Sequence, residues 1–104
     1  MEKIVEQGLL YDFYGELLTG HQRRIYEDVV FNDLSLSEIA QDQGISRQGV
    51  HDLVRRCDRT LLEYERKLHL MEKFLRIKET VAEIEAVSSE ESVKLLARQI
   101  LEEL

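Results

Sequence analysis

The segment from Ser35 to Arg56, SLSEIAQDQGISRQGVHDLVRR, constrains this chain more than any other, because its small, apolar and glycine residues fall where a helix-turn-helix needs them. Ser35 and Glu38 stand in S-x-x-E spacing, so each side chain can satisfy a backbone N–H that a helix start leaves unpaired. Ile39 and Ala40 give that helix an inner face, and the alanine permits close approach at the helix crossing. Gly44 sits where the helix has to stop, since glycine enters the left-handed region without a Cβ clash. Ile45 is expected to be the buried residue of the turn, and Ser46 to cap the second helix. Val50, Leu53 and Val54 then face Ile39 and Ala40. Arg47, Gln48, His51, Asp52 and Arg55 are left pointing outward, and with Arg56 they form the expected nucleic-acid-binding surface.

The motif itself is neutral: from Ser35 to Leu62, Arg47, Arg55, Arg56 and Arg59 stand against Glu38, Asp42, Asp52 and Asp58. Neutralised phosphates supply most non-specific affinity, so recognition helices ordinarily carry surplus positive charge. Here the surplus is local, with Arg55, Arg56 and Arg59 clustered beyond the acidic first helix. The whole chain of 104 residues carries −7, which disfavours indiscriminate DNA coating and suits a specific site, an RNA of defined shape or a basic protein partner. Residues 63–78 alone are basic in excess, five bases against three acids; residues 79–104 hold seven acids and two bases.

The absence of proline and the 34% of charged residues at helical spacing predict an all-α fold without strands. No apolar run is long enough to span a membrane. The start, MEKIVEQGLL, lacks the basic flank and apolar stretch of a secretory signal, so a cytoplasmic location is expected. Cys57, the single cysteine, excludes an internal disulfide and falls on the inward side of its helix, as a small buried hydrophobe.

A first helix is predicted over Lys3–Leu18, with Leu10, Phe13, Tyr14, Leu17 and Leu18 as its apolar stripe. Thr19 and Gln22 box the start of a second, which carries Ile25, Tyr26, Val29 and Val30 inward. The aromatic residues at helical spacing read as core rather than as base-stacking platforms. Beyond Arg56, Cys57, Leu61, Tyr64, Leu68, Met71 and Leu75 continue at alternating separations of four and three, the spacing of a coiled-coil seam. Phe74, Ile77, Val81, Ile84 and Val87 extend the pattern to a third capping box at Ser88 and Glu91, before a last helix with Val93, Leu96, Ala97, Ile100, Leu101 and Leu104. The chain thus divides into a helix-turn-helix domain, 1–62, and a C-terminal helical extension, 63–104. The extension has more apolar surface than a small bundle needs, so Leu61, Tyr64, Leu68, Met71 and Leu75 are expected to form a homodimer seam. The alternative is a tail folded back on its own core.

The combination DFYGELLT, LSLSEIA, SRQGV and YERKLHL, within the first 75 or so residues, strongly resembles the YlxM-like family of small bacterial helix-turn-helix proteins. In fold that family is similar to DNA-binding region 4 of bacterial sigma-70 factors. The resemblance therefore implies a region 4-like bundle in which Arg47–Arg56 is the recognition helix. It also implies a genomic setting beside signal recognition particle GTPases, and hence a regulator of that targeting pathway.

No catalytic, metal or cofactor pattern is present. His21, His51 and His69 are far apart with no paired cysteines, and the five glycines are scattered singly rather than gathered in a phosphate loop. Two functions remain. One is a DNA-binding regulatory protein, in which Arg47 and Gln48 read base edges while His51, Arg55 and Arg56 hold the backbone. The other is an adaptor that docks on the signal recognition particle GTPase or its RNA through the acidic shell and the apolar seam.

Overall fold

A computed structural model describes residues 1–104, with six α-helices and no strand. They are α1 (Lys3–Tyr14), α2 (Gly20–Val30), α3 (Leu36–Gln43), α4 (Arg47–Leu68), α5 (Leu70–Val87) and α6 (Glu91–Glu103). The chain forms two compact units, Met1–Leu68 and His69–Leu104. Because α4 runs unbroken through residues 62 and 63, the division comes later than sequence spacing suggested, at His69, whose φ of 56° is left-handed.

In the first unit α4 packs on α1, α2 and α3. Its inward residues Val50, Leu53, Val54, Cys57 and Leu61 meet a core that includes Leu10, Tyr14, Ile25, Tyr26 and Ile39. The first helix is shorter than predicted: it ends at Tyr14, and Gly15–Leu17 form a 3₁₀ turn. That tightening rotates Leu17 out to solvent and leaves Leu18 buried, which breaks the expected stripe. Gly15 permits it, since a Cβ there would lie 2.8 Å from the Tyr11 ring. The aromatic side chains pack on one another as expected, Tyr11 stacking on Tyr26 and Tyr14 on Tyr64 with centroids 5.7 and 6.0 Å apart.

Both capping boxes in this unit form. Thr19 accepts from the Gln22 N–H and Ser35 from the Glu38 N–H, and each partner side chain returns the bond. The third predicted box does not. Ser88 Oγ accepts instead from the N–H of Glu90, and α6 starts at Glu91 with no side-chain cap, because Ser88 is two residues too early to be the N-cap. The second unit is an α5–α6 hairpin whose buried apolar residues are Val81 and Ala97, tied by an Arg98–Glu85 ion pair at 2.7 Å.

Burial, aided by the neighbouring Asp58 carboxylate, pushes the Cys57 thiol up from its ordinary 9.0 to about 11. The folded state therefore holds this proton when the unfolded chain has released it. Its contribution is complete below pH 9 and is lost as pH rises through about 11, at up to about 1.4 kcal/mol per pH unit. Urea unfolding from pH 8 to 11 should show this decline, and Cys57→Ala should flatten it. An unchanged slope in the variant would count against a buried neutral thiol.

Candidate nucleic-acid interface

The helix-turn-helix is built by local chemistry. Gly44 closes α3 at φ 68°, and the Ile45 N–H bonds back to the Ala40 carbonyl at 3.0 Å. A three-residue turn, Gly44–Ser46, leads to α4, where Ser46 Oγ accepts from the Gly49 N–H at 2.9 Å. Ile45 is not the buried turn residue expected of it. It is 39% exposed, because the left-handed Gly44 throws it outward beside the side-chain-free Gly49.

All six predicted interface residues, Arg47, Gln48, His51, Asp52, Arg55 and Arg56, lie exposed on α4. At 3.6 residues per turn they occupy about half of the helix circumference, opposite Val50, Leu53, Val54 and Cys57. Gln48 Nε2 donates to Asp52 Oδ1 at 2.9 Å, which holds the amide along the helix one turn below. Its remaining N–H and its carbonyl oxygen stay free, the pair of groups that matches an adenine edge. Asp52 also lies 3.9 Å from His51 Nδ1. Arg47, Arg55, Arg56 and Arg59 have neither an ion pair nor a side-chain hydrogen bond, so their guanidinium groups are available to an outside anion.

The outer face of α4 is more basic than the motif as a whole, whose Glu38 and Asp42 are exposed on α3. Asp58 turns toward α1 and α2, where it accepts from the Tyr26 hydroxyl at 2.6 Å and from Gln7 Nε2 at 3.0 and 3.1 Å. Burial and this bond push the Tyr26 phenol well above its ordinary range. Glu38 is held in the α3 capping box. The outer face of α4 through Arg59 thus offers four arginines against Asp52. Arg59 belongs to the same exposed face and is not among the six residues expected there, although its four-residue step from Arg55 signals it. It lines a shallow depression of about 490 Å³ with Asp52, Arg55 and Arg56. Lys3 of α1 lines a second groove with His51 and Arg55, a proximity without any signal in sequence.

The proposed dimer residues are scattered. Leu61 is fully buried, Tyr64 is half-buried against Tyr14, and Leu68 is exposed at the end of α4. Met71 and Leu75 follow in α5, half-buried, after the left-handed His69. These five residues therefore do not share one helix: α4 ends at Leu68, α5 begins at Leu70, and Leu61 is buried in the core of the first unit.

Residues 1–100 match the UPF0122 family, described as "Putative helix-turn-helix protein, YlxM / p13 like". The chain belongs to this family. Among its UPF0122 relatives, a protein from Clostridium botulinum is 49% identical over 76 residues, covering 73% of this chain and 70% of the relative. One from Shouchella clausii is 41% identical over 95 residues, 90% of this chain and 87% of the relative. One from Bacillus cereus is 40% identical over 103 residues, 98% and 94% of the two chains. Membership of a helix-turn-helix family agrees with the motif geometry and supports a nucleic-acid-binding role. No helix is long and apolar enough to cross a membrane.

Proposed function

We propose that this UPF0122 protein is a DNA-binding regulator that places the first turns of α4 in the major groove. The observation that carries this reading is the row of unpaired, exposed arginines on the outer face of α4, with Asp58 withdrawn from that face. Arg47 and Gln48, at the helix N-terminus, read base edges; Arg55, Arg56 and Arg59 neutralise phosphates. Asp52 penalises loose phosphate contact and so favours a fitted site over sliding. The protein acts in the cytoplasm as a homodimer with two recognition helices, and the pathway it serves is signal recognition particle targeting, a setting supported by resemblance to the YlxM-like family.

Fluorescence anisotropy on a duplex selected from a random pool, in a salt series, tests this. Arg56→Ala should weaken binding to all sequences and reduce the salt slope by about one. Arg47→Ala should cost about 1–3 kcal/mol and relax the base preference at one position. A parent protein without salt-sensitive duplex binding would overturn the reading. The net charge of −7 favours a second reading, an adaptor that docks on the signal recognition particle GTPase or its RNA. In that case binding to the GTPase or the RNA would persist when Arg47 and Arg55 are reversed to glutamate.

A further inference from the structure

We infer that the nucleic-acid surface runs on past the helix-turn-helix along α4 to Arg66 and Lys67, which bind the sugar–phosphate backbone of duplex DNA. Glu63 is their competitor within the helix. This deepens, and rests on, the DNA-binding reading above. Measured from Arg59 at about 100° per residue, Arg55, Arg56, Arg66 and Lys67 all lie within about 80°, on the face that also carries Asp52 and Glu63. Each of these seven residues is exposed. Two shallow depressions follow the same line. One, of about 490 Å³, is lined by Asp52, Arg55, Arg56 and Arg59; the next, of about 450 Å³, by Arg59, Thr60, Glu63, Tyr64 and Lys67. Arg59 is common to both, so they join into one trough along α4, about 22 Å long from residue 52 to residue 67.

Charge identifies the occupant of that trough. Its face holds five bases against two acids. The other acids of α4 are turned away: Asp58 accepts from Tyr26 and Gln7, and Glu65, about 120° round the helix from Arg59, accepts from the Tyr14 hydroxyl at 2.6 Å. A row of phosphates is the complement of such a surface. Length assigns the parts. The 22 residues of α4 span about 33 Å, nearly three times the ~12 Å width of a major groove. With Arg47 and Gln48 at base edges, Arg66 and Lys67 stand about 29 Å along the axis, beyond the groove and over the phosphates that bound it. Glu63 sets the state of this far end before DNA arrives. Its Oε1 accepts from Arg66 Nη2 at 2.6 Å and lies 3.7 Å from Lys67 Nζ. Both pairs are solvent-exposed and hence weak, whereas a phosphate offers Arg66 two oxygens in the bidentate geometry that suits a guanidinium group. Binding therefore moves Arg66 and Lys67 from Glu63 to phosphate, and the freed carboxylate, left beside the phosphate, weakens the contact.

The test is anisotropy of the full chain on the selected DNA duplex in a salt series, with circular dichroism and urea midpoints confirming that each variant folds like the parent. The double change Arg66→Ala and Lys67→Ala should lower the salt slope by about two and weaken binding to every sequence alike, with base preference intact. Glu63→Gln should bind about two- to fivefold more tightly, because Arg66 and Lys67 lose their competitor. Ethylation interference locates the contact: some phosphates whose ethylation weakens the parent should become insensitive in the double variant, and they should flank the base pairs read by Arg47. Parent-like affinity, salt slope and interference in the double variant, alongside weakened binding by Arg56→Ala, would overturn the extension and leave the DNA-binding reading in place. A parent without salt-sensitive binding to duplex DNA overturns both. Binding to duplex RNA of the same sequence but not to the DNA would reject the occupant named here, and an unchanged or weaker Glu63→Gln complex would reject the competitor.

Discussion

Replacing Leu61 with alanine is expected to cost about 3 kcal/mol of folding stability, the usual loss for truncating a fully buried leucine whose surroundings only partly collapse. The side chain has no exposed surface and sits among the core residues of the first unit on the inward face of α4. The loss combines the transfer of apolar atoms with the cavity left between packed helices, and both terms are set inside one chain. Urea unfolding at fixed protein concentration should show the midpoint falling at unchanged m. Chain mass in solution should not change. A loss under about 1 kcal/mol, or a variant that alters oligomeric mass, would return Leu61 to an interface role.

Asp58→Ala is expected to be nearly as damaging, at about 2–4 kcal/mol, because it strands two donors that were bonded to a charged acceptor. The Tyr26 hydroxyl is the more costly of them: Tyr26 has no exposed surface, and its bond to Asp58 is 2.6 Å long. Gln7 loses its two contacts to the same carboxylate. Asp58→Asn keeps an acceptor oxygen and should recover about half of the loss. In a double-mutant cycle with Tyr26→Phe the two changes should be non-additive by about 1 kcal/mol or more, since removing both partners leaves no buried hydroxyl unsatisfied. Additive losses would mean that the bond contributes little. The network joins α1 and α2 to α4 below the exposed arginines, so folded Asp58→Asn protein should retain duplex binding.

Elements that depend on neighbours within a few residues were legible in the chain itself. The capping boxes at Thr19 and Ser35, the left-handed stop at Gly44 and the serine cap at Ser46 are local hydrogen-bond and steric solutions, and each forms where its residues stand. The inward and outward faces of α4 follow from helical period alone, so the exposure of the six residues from Arg47 to Arg56 and the burial of Cys57 were available without coordinates. The box at Ser88 failed for a related reason: S-x-x-E spacing is satisfied by residues that do not sit at a helix start, and only the backbone decides where the first turn begins.

The break at His69 has no local punctuation. Histidine enters the left-handed region rarely, and no glycine or asparagine marks the site, so an unbroken heptad through Leu75 was the natural reading. The pairing of Asp58 with Tyr26 and Gln7 spans 32 and 51 residues, and no periodicity encodes which acid turns inward. By itself, then, the sequence determined an all-helical chain, its helix-turn-helix and the residues on the outer face of the recognition helix, because short-range sterics, capping and helical period govern those. Tertiary structure alone decided that Asp58 leaves that face to its arginines and that Leu61 belongs to the core. Those outcomes depend on which distant side chains compete for the same buried volume and the same hydrogen bonds.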